Sequence, residues 1–399
     1  MSEPKRLPIV LSLGLAQTLG WGSTYYLPAI LANPIAEDLG ISSGNVFGAF
    51  SLALVLSAVL GPMIGRRIDH RGGRPVLVAS SVIFALGLVL LSQAIGPVTL
   101  WLAWLIIGVG MAMGLYESAF STLAGIYGSN ARNAITGITL IAGFASTVCW
   151  PITAGLESAL GWRGACLVWA SAHILLGLPL NRFMLPRLKK SRVIATDDTL
   201  QPPANGRLTM ALLAFVFAVT WFTSTAMAAH LPRLLQETGL PLATAVLIAG
   251  LVGPAQVGAR FLEYSLLQRF HPLLSARMAS MTHPVGVVCL LAFNSPLAFI
   301  SPLAVVFTVL HGAGNGILTI AKGTLPLAIF GPQDYGLRQG WLMMPARASQ
   351  AFAPVVFAVL IDDFGIHALL LSAALGCLAF AALMFIRPVA SAPAPTTAR

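Results

Sequence analysis

Charge is what this sequence has least of. Only 9% of its 399 residues are Asp, Glu, Lys or Arg, where a soluble domain carries roughly 25%. A chain so short of polar surface cannot face water on all sides. That excludes a soluble enzyme, a disordered protein and a nucleic-acid binder of the usual kind. Cysteine is scarce too: Cys149, Cys166, Cys289 and Cys377 each sit inside an apolar stretch, with no C-x-x-C and no histidine at metal spacing. The pattern argues against a disulfide framework or a bound metal, and for thiols that pack as small hydrophobes. No G-x-x-x-x-G-K-[ST] is present to hydrolyse a nucleotide, and no H-E-x-x-H or Ser/His/Asp set stands outside the apolar runs. Gly312-x-Gly314-x-Gly316 and Gly108-x-Gly110-x-x-x-Gly114 lie inside such runs, where close helix packing accounts for them. The expectation is a non-enzyme that uses no cofactor.

Apolar residues are abundant instead, at 57% of the chain, and mean hydropathy is +0.84. A helix needs about 20 mostly apolar residues to cross a bilayer. Runs of that kind predict twelve spans, at 8–32, 44–65, 75–95, 98–125, 132–157 and 164–185, then 208–235, 241–261, 274–294, 299–323, 338–361 and 366–387. They are far longer than the roughly 10 alternating residues of a barrel strand. The first follows Lys5 and Arg6, exceeds the core of a secretory signal, and reads as a retained helix.

An even number of spans puts both termini on one side. Eighteen of the 23 Lys and Arg fall on that side, among them Arg66, Arg67, Arg71, Arg74, Arg132, Arg260, Arg277 and Arg338. The opposite loops hold Arg163 and Arg233, together with the acids Glu37, Asp38, Glu157, Glu237, Asp362 and Asp363. The positive-inside rule then places both termini in the cytoplasm, with a bacterial inner membrane as the expected location. The net charge of +10 is on this reading topological, and no nucleic-acid partner is implied. The one long polar stretch, 186–207, mixes charge with Pro-Pro and Asn-Gly and is expected to be a flexible cytoplasmic linker. It separates an N-terminal bundle at 1–185 from a C-terminal bundle at 208–399. The halves echo each other: Gly61-Pro62 with Gly65-Arg66 matches Gly253-Pro254 with Gly258-Ala259-Arg260, and Ile126-Tyr127-Gly128 matches Ile329-Phe330-Gly331. A duplicated six-helix unit is the economical reading.

Between spans 2 and 3 the chain reads Gly65-Arg66-Arg67-Ile68-Asp69-His70-Arg71-Gly72-Gly73-Arg74. This resembles the cytoplasmic signature of the major facilitator superfamily, G-x-x-x-D-[RK]-x-G-[RK]-[RK]. Gly65, Asp69, Gly72 and Arg74 match, while His70 and Gly73 depart where the family carries a basic residue. Gly161-Trp162-Arg163, opening span 6, is also similar to the family. The resemblance implies an all-α membrane fold of two pseudo-symmetric six-helix bundles, with a ligand site near mid-membrane. It also implies that spans 1, 4, 7 and 10 line a central cavity. Asp69 would face the N-terminal end of a helix of the other half, an arrangement worth roughly 0.3–1 kcal/mol, and so lock a cytoplasmic gate. A merely topological basic loop is the alternative. Within the family, Gln17-x-x-x-Trp21-Gly22-x-x-Tyr25-Tyr26 in span 1 resembles the monocarboxylate and oxalate/formate porters.

Charge at mid-membrane costs roughly 2.5–3.5 kcal/mol per residue on insertion scales, so each case asks for a reason. Glu117 beside Tyr116 in span 4, Lys322 in span 10 and Arg347 in span 11 are such cases. At about 100° per residue, His311, Asn315 and Lys322 fall on one face of span 10. Gln17, Trp21, Thr24 and Tyr25 share a stripe of span 1. Candidate substrate-binding residues are therefore Gln17, Trp21, Tyr25, Tyr116, Glu117, His311, Asn315 and Arg347, with Arg347 as the anchor for a carboxylate. Glu117 and His311 are candidates for carrying a proton. The alternatives are a fixed ion pair between Glu117 and Arg347 or Lys322, a snorkelling Lys322, and a His311 that only bonds a neighbouring helix. His173, His230 and His283 read as structural. The expected function is secondary transport of a small organic anion by a monomer, coupled to protons; efflux of a drug or metalloid compound is the alternative.

Overall fold

Proline and glycine punctuate the apolar runs, and the helices follow that punctuation. The computed structural model describes residues 4–187, 206–292 and 297–387, and among them every regular element is helical. The first half holds α1 (Arg6–Ser23), α2 (Pro28–Leu39), α3 (Ser43–Arg71), α4 (Gly73–Ser92), α5 (Pro97–Gly114), α6 (Tyr116–Tyr127), α7 (Arg132–Ala142) and α8 (Ala145–Ala172), followed by π-helical turns at His173–Gly177 and Leu180–Met184. The second holds α9 (Gly206–Gln236), α10 (Leu242–Gly250), α11 (Val252–Ser265), α12 (Pro272–Ala292), α13 (Leu297–Phe330), α14 (Tyr335–Phe364) and α15 (Leu369–Phe385). Most of the expected linker, residues 188–205, lies outside the described residues.

Eight helical stretches among the described residues are long and apolar enough to cross a membrane. One of them, Pro97–Met184, runs 88 residues and another, Tyr335–Phe385, runs 51. At 1.5 Å per residue each far exceeds a hydrocarbon core of about 30 Å, so neither is a single crossing. Both are broken where glycine allows it. Gly161 takes φ +68°, ψ 170° inside α8, a conformation closed to other L-residues, and turns the chain at the expected boundary between spans 5 and 6. Large apolar side chains point outward in stripes three or four residues apart, as with Leu7, Leu11 and Leu15 on α1 or Phe352, Val355 and Val359 on α14. Facing water, such stripes would forfeit roughly 25 cal/mol per Å²; facing lipid tails they cost nothing. The chain is a multi-pass integral membrane protein.

Two expected helices are broken at depth. The run 8–32 divides at Thr24–Leu27: Thr24 leaves the helical region at φ −128°, ψ −74°, and Pro28 opens α2 at its first turn, where its missing N–H costs nothing. The run 98–125 divides at Leu115, which is extended (φ −87°, ψ −171°). The break frees backbone carbonyls in a place without water, and side chains take them up. Ser118 Oγ donates to Ala112 O at 2.9 Å, and Gln17 Nε2 donates to Gly114 O at 2.7 Å. The N-terminus of α6 is thereby presented inside the bundle, carrying Tyr116 and Glu117 in its first turn.

The halves meet most tightly along α3 and α14. Gly65 and Gly61 lie against Gly336 and Gly340, so closely that a Cβ on Gly65 would stand 1.9 Å from Gly336 O. The larger hydrophobic core draws residues from both halves, from Ile9 to Ile386. A second core, built around Phe307 and Phe357, belongs to the second half alone.

Candidate functional site

Five helices bring polar groups to one buried centre. From α1 come Gln17 and Trp21, one turn apart on a single face, and from the turn that follows it Tyr25. From α6 come Tyr116 and Glu117, from α9 Trp221 and Thr225, from α13 Lys322, and from α14 Arg347 and Gln350. Arg347 Nη2 donates to Glu117 Oε2 at 2.6 Å, joining two residues 230 positions apart; the side chains are 3% and 16% exposed. Removing one partner of such a pair strands the other charge at a cost of roughly 3–5 kcal/mol.

Aromatic rings wall this pair in. Trp21 stacks on Trp221 across the two halves, with centroids 5.9 Å apart and planes 12° off parallel, and lies 5.0 Å from Tyr116. Lys322 Nζ sits 3.9 Å from the centroid of the Trp221 ring, a cation–π contact in a desolvated place. Gln350 Nε2 donates to the Tyr25 hydroxyl at 2.9 Å, and that hydroxyl lies 3.3 Å from Thr225 Oγ1. A cavity of about 10 Å³, room for one water, lies beside Glu117 and Arg347 and is lined also by Ser57, Gly61 and Met343.

Several buried donors in this centre have no hydrogen-bond partner among the described residues: Lys322 Nζ, Arg347 Nη1, Trp21 Nε1 and Trp221 Nε1. An unpaired buried polar group costs roughly 1–3 kcal/mol, more when charged. So many donors together form a centre that lacks an acceptor. The unpaired oxygens there, Gln17 Oε1 and Gln350 Oε1, belong to neutral amides.

The expected residues do not all gather here. Gln17, Trp21, Tyr25, Tyr116, Glu117 and Arg347 do, although Gln17 spends its amide N–H on the α5 carbonyl. His311 and Asn315 line a separate cavity inside the second half, with Thr220, Thr223, Ser280, Thr282, His283 and Ser372. Eleven residues separate His311 from Lys322, about 16 Å of helix, which outweighs their shared face. His283, read as structural, is bonded to His311 at 2.9 Å. Lys322, Trp221, Thr225 and Gln350 join the centre although the sequence does not single them out as binding residues. A signal existed for the last three: Trp221 and Thr225 are four apart on one helix face, and Gln350 follows Arg347 by three.

The signature loop joins the halves at one end. The backbone N–H groups of Gly336 and Leu337, at the start of α14, both donate to the Asp69 carboxylate at 2.8 Å. Gly72 closes α3 with φ +76° and admits α4 directly. Arg74 opens α4 near Arg182 and Arg187. Gly73 has a packing reason to depart from the family pattern: a Cβ there would fall 1.7 Å from Thr122 Oγ1. His70 is exposed. At the same end Arg132 binds Glu263 at 3.0 Å and Phe270 O at 2.7 Å. Arg260, counted above as a loop charge, is instead 4% exposed and donates to Thr139 O, Gln256 Oε1 and Gly316 O. At the other end the ion pairs stay within each half, Arg163 with Asp38 and Arg233 with Asp362. The protein is therefore clasped shut at the Asp69 end.

Comparison with known proteins agrees with this architecture. Residues 13–304 match the family model described as Major Facilitator Superfamily. An uncharacterised 38 kDa protein in a 23S RNA operon of Thermoproteus tenax is 26% identical over 367 residues, 92% of each chain. A multi-drug resistance efflux pump PmrA homolog of Lactococcus lactis is 24% identical over 320 residues, 76% of each. Among solved structures, the E. coli fucose:proton symporter FucP superposes with TM-score 0.71 at 15% identity, covering 95% of this chain and 98% of that one. The human organic anion transporter MFSD10 gives 0.69 at 16%, covering 95% and 99%. With the family model spanning most of its length and its helices arranged as in those transporters, the chain belongs to the Major Facilitator Superfamily.

Proposed function

We propose that the protein is a secondary active transporter that moves a small organic anion, monocarboxylate-like, by alternating access coupled to protons. The observation that carries this reading is the surplus of unpaired donors at the centre, Lys322 Nζ and Arg347 Nη1 above all. A carboxylate supplies the acceptors they lack, bidentate on the guanidinium, while Trp21, Tyr116 and Trp221 enclose an apolar body. Glu117 competes with the substrate for Arg347; protonating Glu117 would release that guanidinium, which is a direct way to link proton and anion.

The remaining features follow from the same reading. Twelve crossings result if Pro97–Met184 crosses three times, Tyr335–Phe385 twice and α1 with α2 once. Residues 1–185 and 208–399 form the two bundles, 186–207 link them, and both termini face the cytoplasm of a bacterial inner membrane. The protein works as a monomer, without cofactor or catalysis. The Asp69 clasp then closes the cytoplasmic side, leaving the centre to load from the other.

The aromatic wall, together with the efflux-pump relative, favours a second reading, export of a drug-like compound. Proteoliposomes separate the two. Lactate, formate and oxalate are offered with and without an inward proton gradient, and ethidium is offered in parallel. The expected result is gradient-driven accumulation of a carboxylate, lost in Arg347→Ala protein that still inserts normally. Movement of ethidium but of no carboxylate, unaffected by Arg347→Ala, would overturn it.

A further inference from the structure

Away from the aromatic centre, the second half encloses a cavity of about 40 Å³ between α9, α12, α13 and α15, large enough for a few waters. Four of the hydroxyls in its wall are already engaged as donors. Thr220 donates its hydroxyl proton to Val216 O, Ser280 to Arg277 O, Thr282 to Ala279 O and Ser372 to Leu369 O, each at 2.7–2.8 Å. With those protons spent on helix carbonyls, these four oxygens turn lone pairs to the cavity, beside the Asn315 amide and an otherwise mostly apolar lining. Those lone pairs can solvate a proton or another small cation.

Two histidines complete it. His283 Nε2 lies 2.8 Å from Ser372 Oγ, and His283 Nδ1 lies 2.9 Å from His311 Nδ1. Hydrogen-bond accounting assigns the protons along this chain as follows. With the Ser372 hydroxyl donating to Leu369 O, Ser372 Oγ accepts from His283 Nε2, which puts the His283 proton on Nε2. A neutral imidazole has one N–H, so His283 Nδ1 is bare and accepts from His311 Nδ1–H. His311 Nε2 is then bare in turn, and no described group donates to it.

We propose that His311 Nε2 is the proton-accepting atom of a second site, separate from the Glu117–Arg347 centre, and that His283 and Ser372 hold His311 in the tautomer that keeps it so. The proposal deepens the proton-coupled reading above, on which its role in transport rests. Uptake forms one N–H bond on His311 and makes an imidazolium; the added charge is shared toward His283 through the Nδ1–Nδ1 bond and solvated by the four hydroxyl oxygens. No Asp, Glu, Lys or Arg lines the cavity. The charged groups of the helices packed around it are engaged elsewhere: Arg233 with Asp362, Arg277 with Leu383 O and Ile386 O, Arg260 with Thr139 O, Glu263 with Arg132 and Lys322 with Trp221. Arg207 is exposed at the start of α9, His230 is bonded to Pro354 O, and Cys289 and Cys377 are free thiols on α12 and α15. The two rings therefore have only each other as titratable neighbours in the cavity.

The test needs no known substrate. Protein labelled with ¹⁵N-histidine is placed in lipid nanodiscs and its imidazole signals are followed from pH 8 to pH 4.5, with His311→Gln and His283→Gln assigning them. At pH 8 the His311 signal should show Nδ1–H with bare Nε2. On acidification it should become imidazolium, and the His283 signal should shift with it. A proton on Nε2 at pH 8, or no change down to pH 4.5, would overturn the proposal. So would a response to exchanging choline for Na⁺ at constant pH, which would make the site one for a metal cation. In vesicles carrying an internal pH dye, His311→Gln should still exchange labelled lactate across the membrane but acidify the lumen less than the parent; acidification equal to the parent would also overturn it. The NMR titration decides the site whether or not a carboxylate moves, and failure of every carboxylate to move refutes the anion reading alone.

Discussion

Replacing Gly65 by alanine is expected to open the Asp69 end, and the structure sets the scale. The new Cβ would lie 1.9 Å from Gly336 O and 2.3 Å from Gly336 C, both backbone atoms, where contacts under 3.0 Å are essentially never seen. Relief requires α3 and α14 to part locally by about 1 Å, since neither backbone can rotate away as a side chain could. The two bonds from Gly336 and Leu337 to Asp69, at 2.8 Å, would then exceed the roughly 3.5 Å limit of a hydrogen bond. Hydrogen bonds to a charged group are worth roughly 1.5–3 kcal/mol each. Asp69 is half-buried, so water recovers part of that, leaving about 1.5–3 kcal/mol. A loss of that size shifts the balance between states closed and open at this end by roughly 10- to 150-fold. Spin labels at Arg67→Cys and Gln333→Cys, in protein lacking its native cysteines, would report the change as a longer-distance population. Gly61→Ala is the internal control: its Cβ would meet Gly340 at 3.5 Å, ordinary contact, and the distances should match the parent. Superimposable distance distributions for Gly65→Ala and parent would refute the reasoning.

Glu117→Gln and Arg347→Gln should each lower thermal stability in detergent, by about 3–5 kcal/mol for the variant that leaves a full charge stranded, while the double variant recovers much of the loss; additive losses would show that the pair does not interact as drawn. Gly73→Ala should destabilise the fold, because its Cβ falls on Thr122 Oγ1, and Thr122→Ala should restore part of the melting temperature. Equal melting of Gly73→Ala with and without Thr122→Ala would rule out that packing explanation.

Much of the fold was legible because lipid imposes a simple rule: no backbone polar group can be left unpaired, so long apolar runs must be helices. The signature loop was legible because close helix contact demands glycine at Gly65 whatever surrounds it. The interior of the helices was less so. The break at Leu115 has no proline to announce it; it exists because Gln17 and Ser118, from different places in the chain, satisfy the carbonyls it frees. The shared face of His311 and Lys322 suggested one site. Helical rise decided otherwise, since a face constrains direction around an axis but not depth along it.

The amino-acid order alone determined that this chain lives in a membrane, crosses it repeatedly and bears a few ionic groups too costly to be idle, because burial energy is summed residue by residue along a run. Only the tertiary structure decided which of those groups meet. Glu117 and Arg347 come from distant helices, and so do Asp69 and the start of α14, and His283 and His311. Pairing of that kind depends on how the helices cross, which no single run encodes.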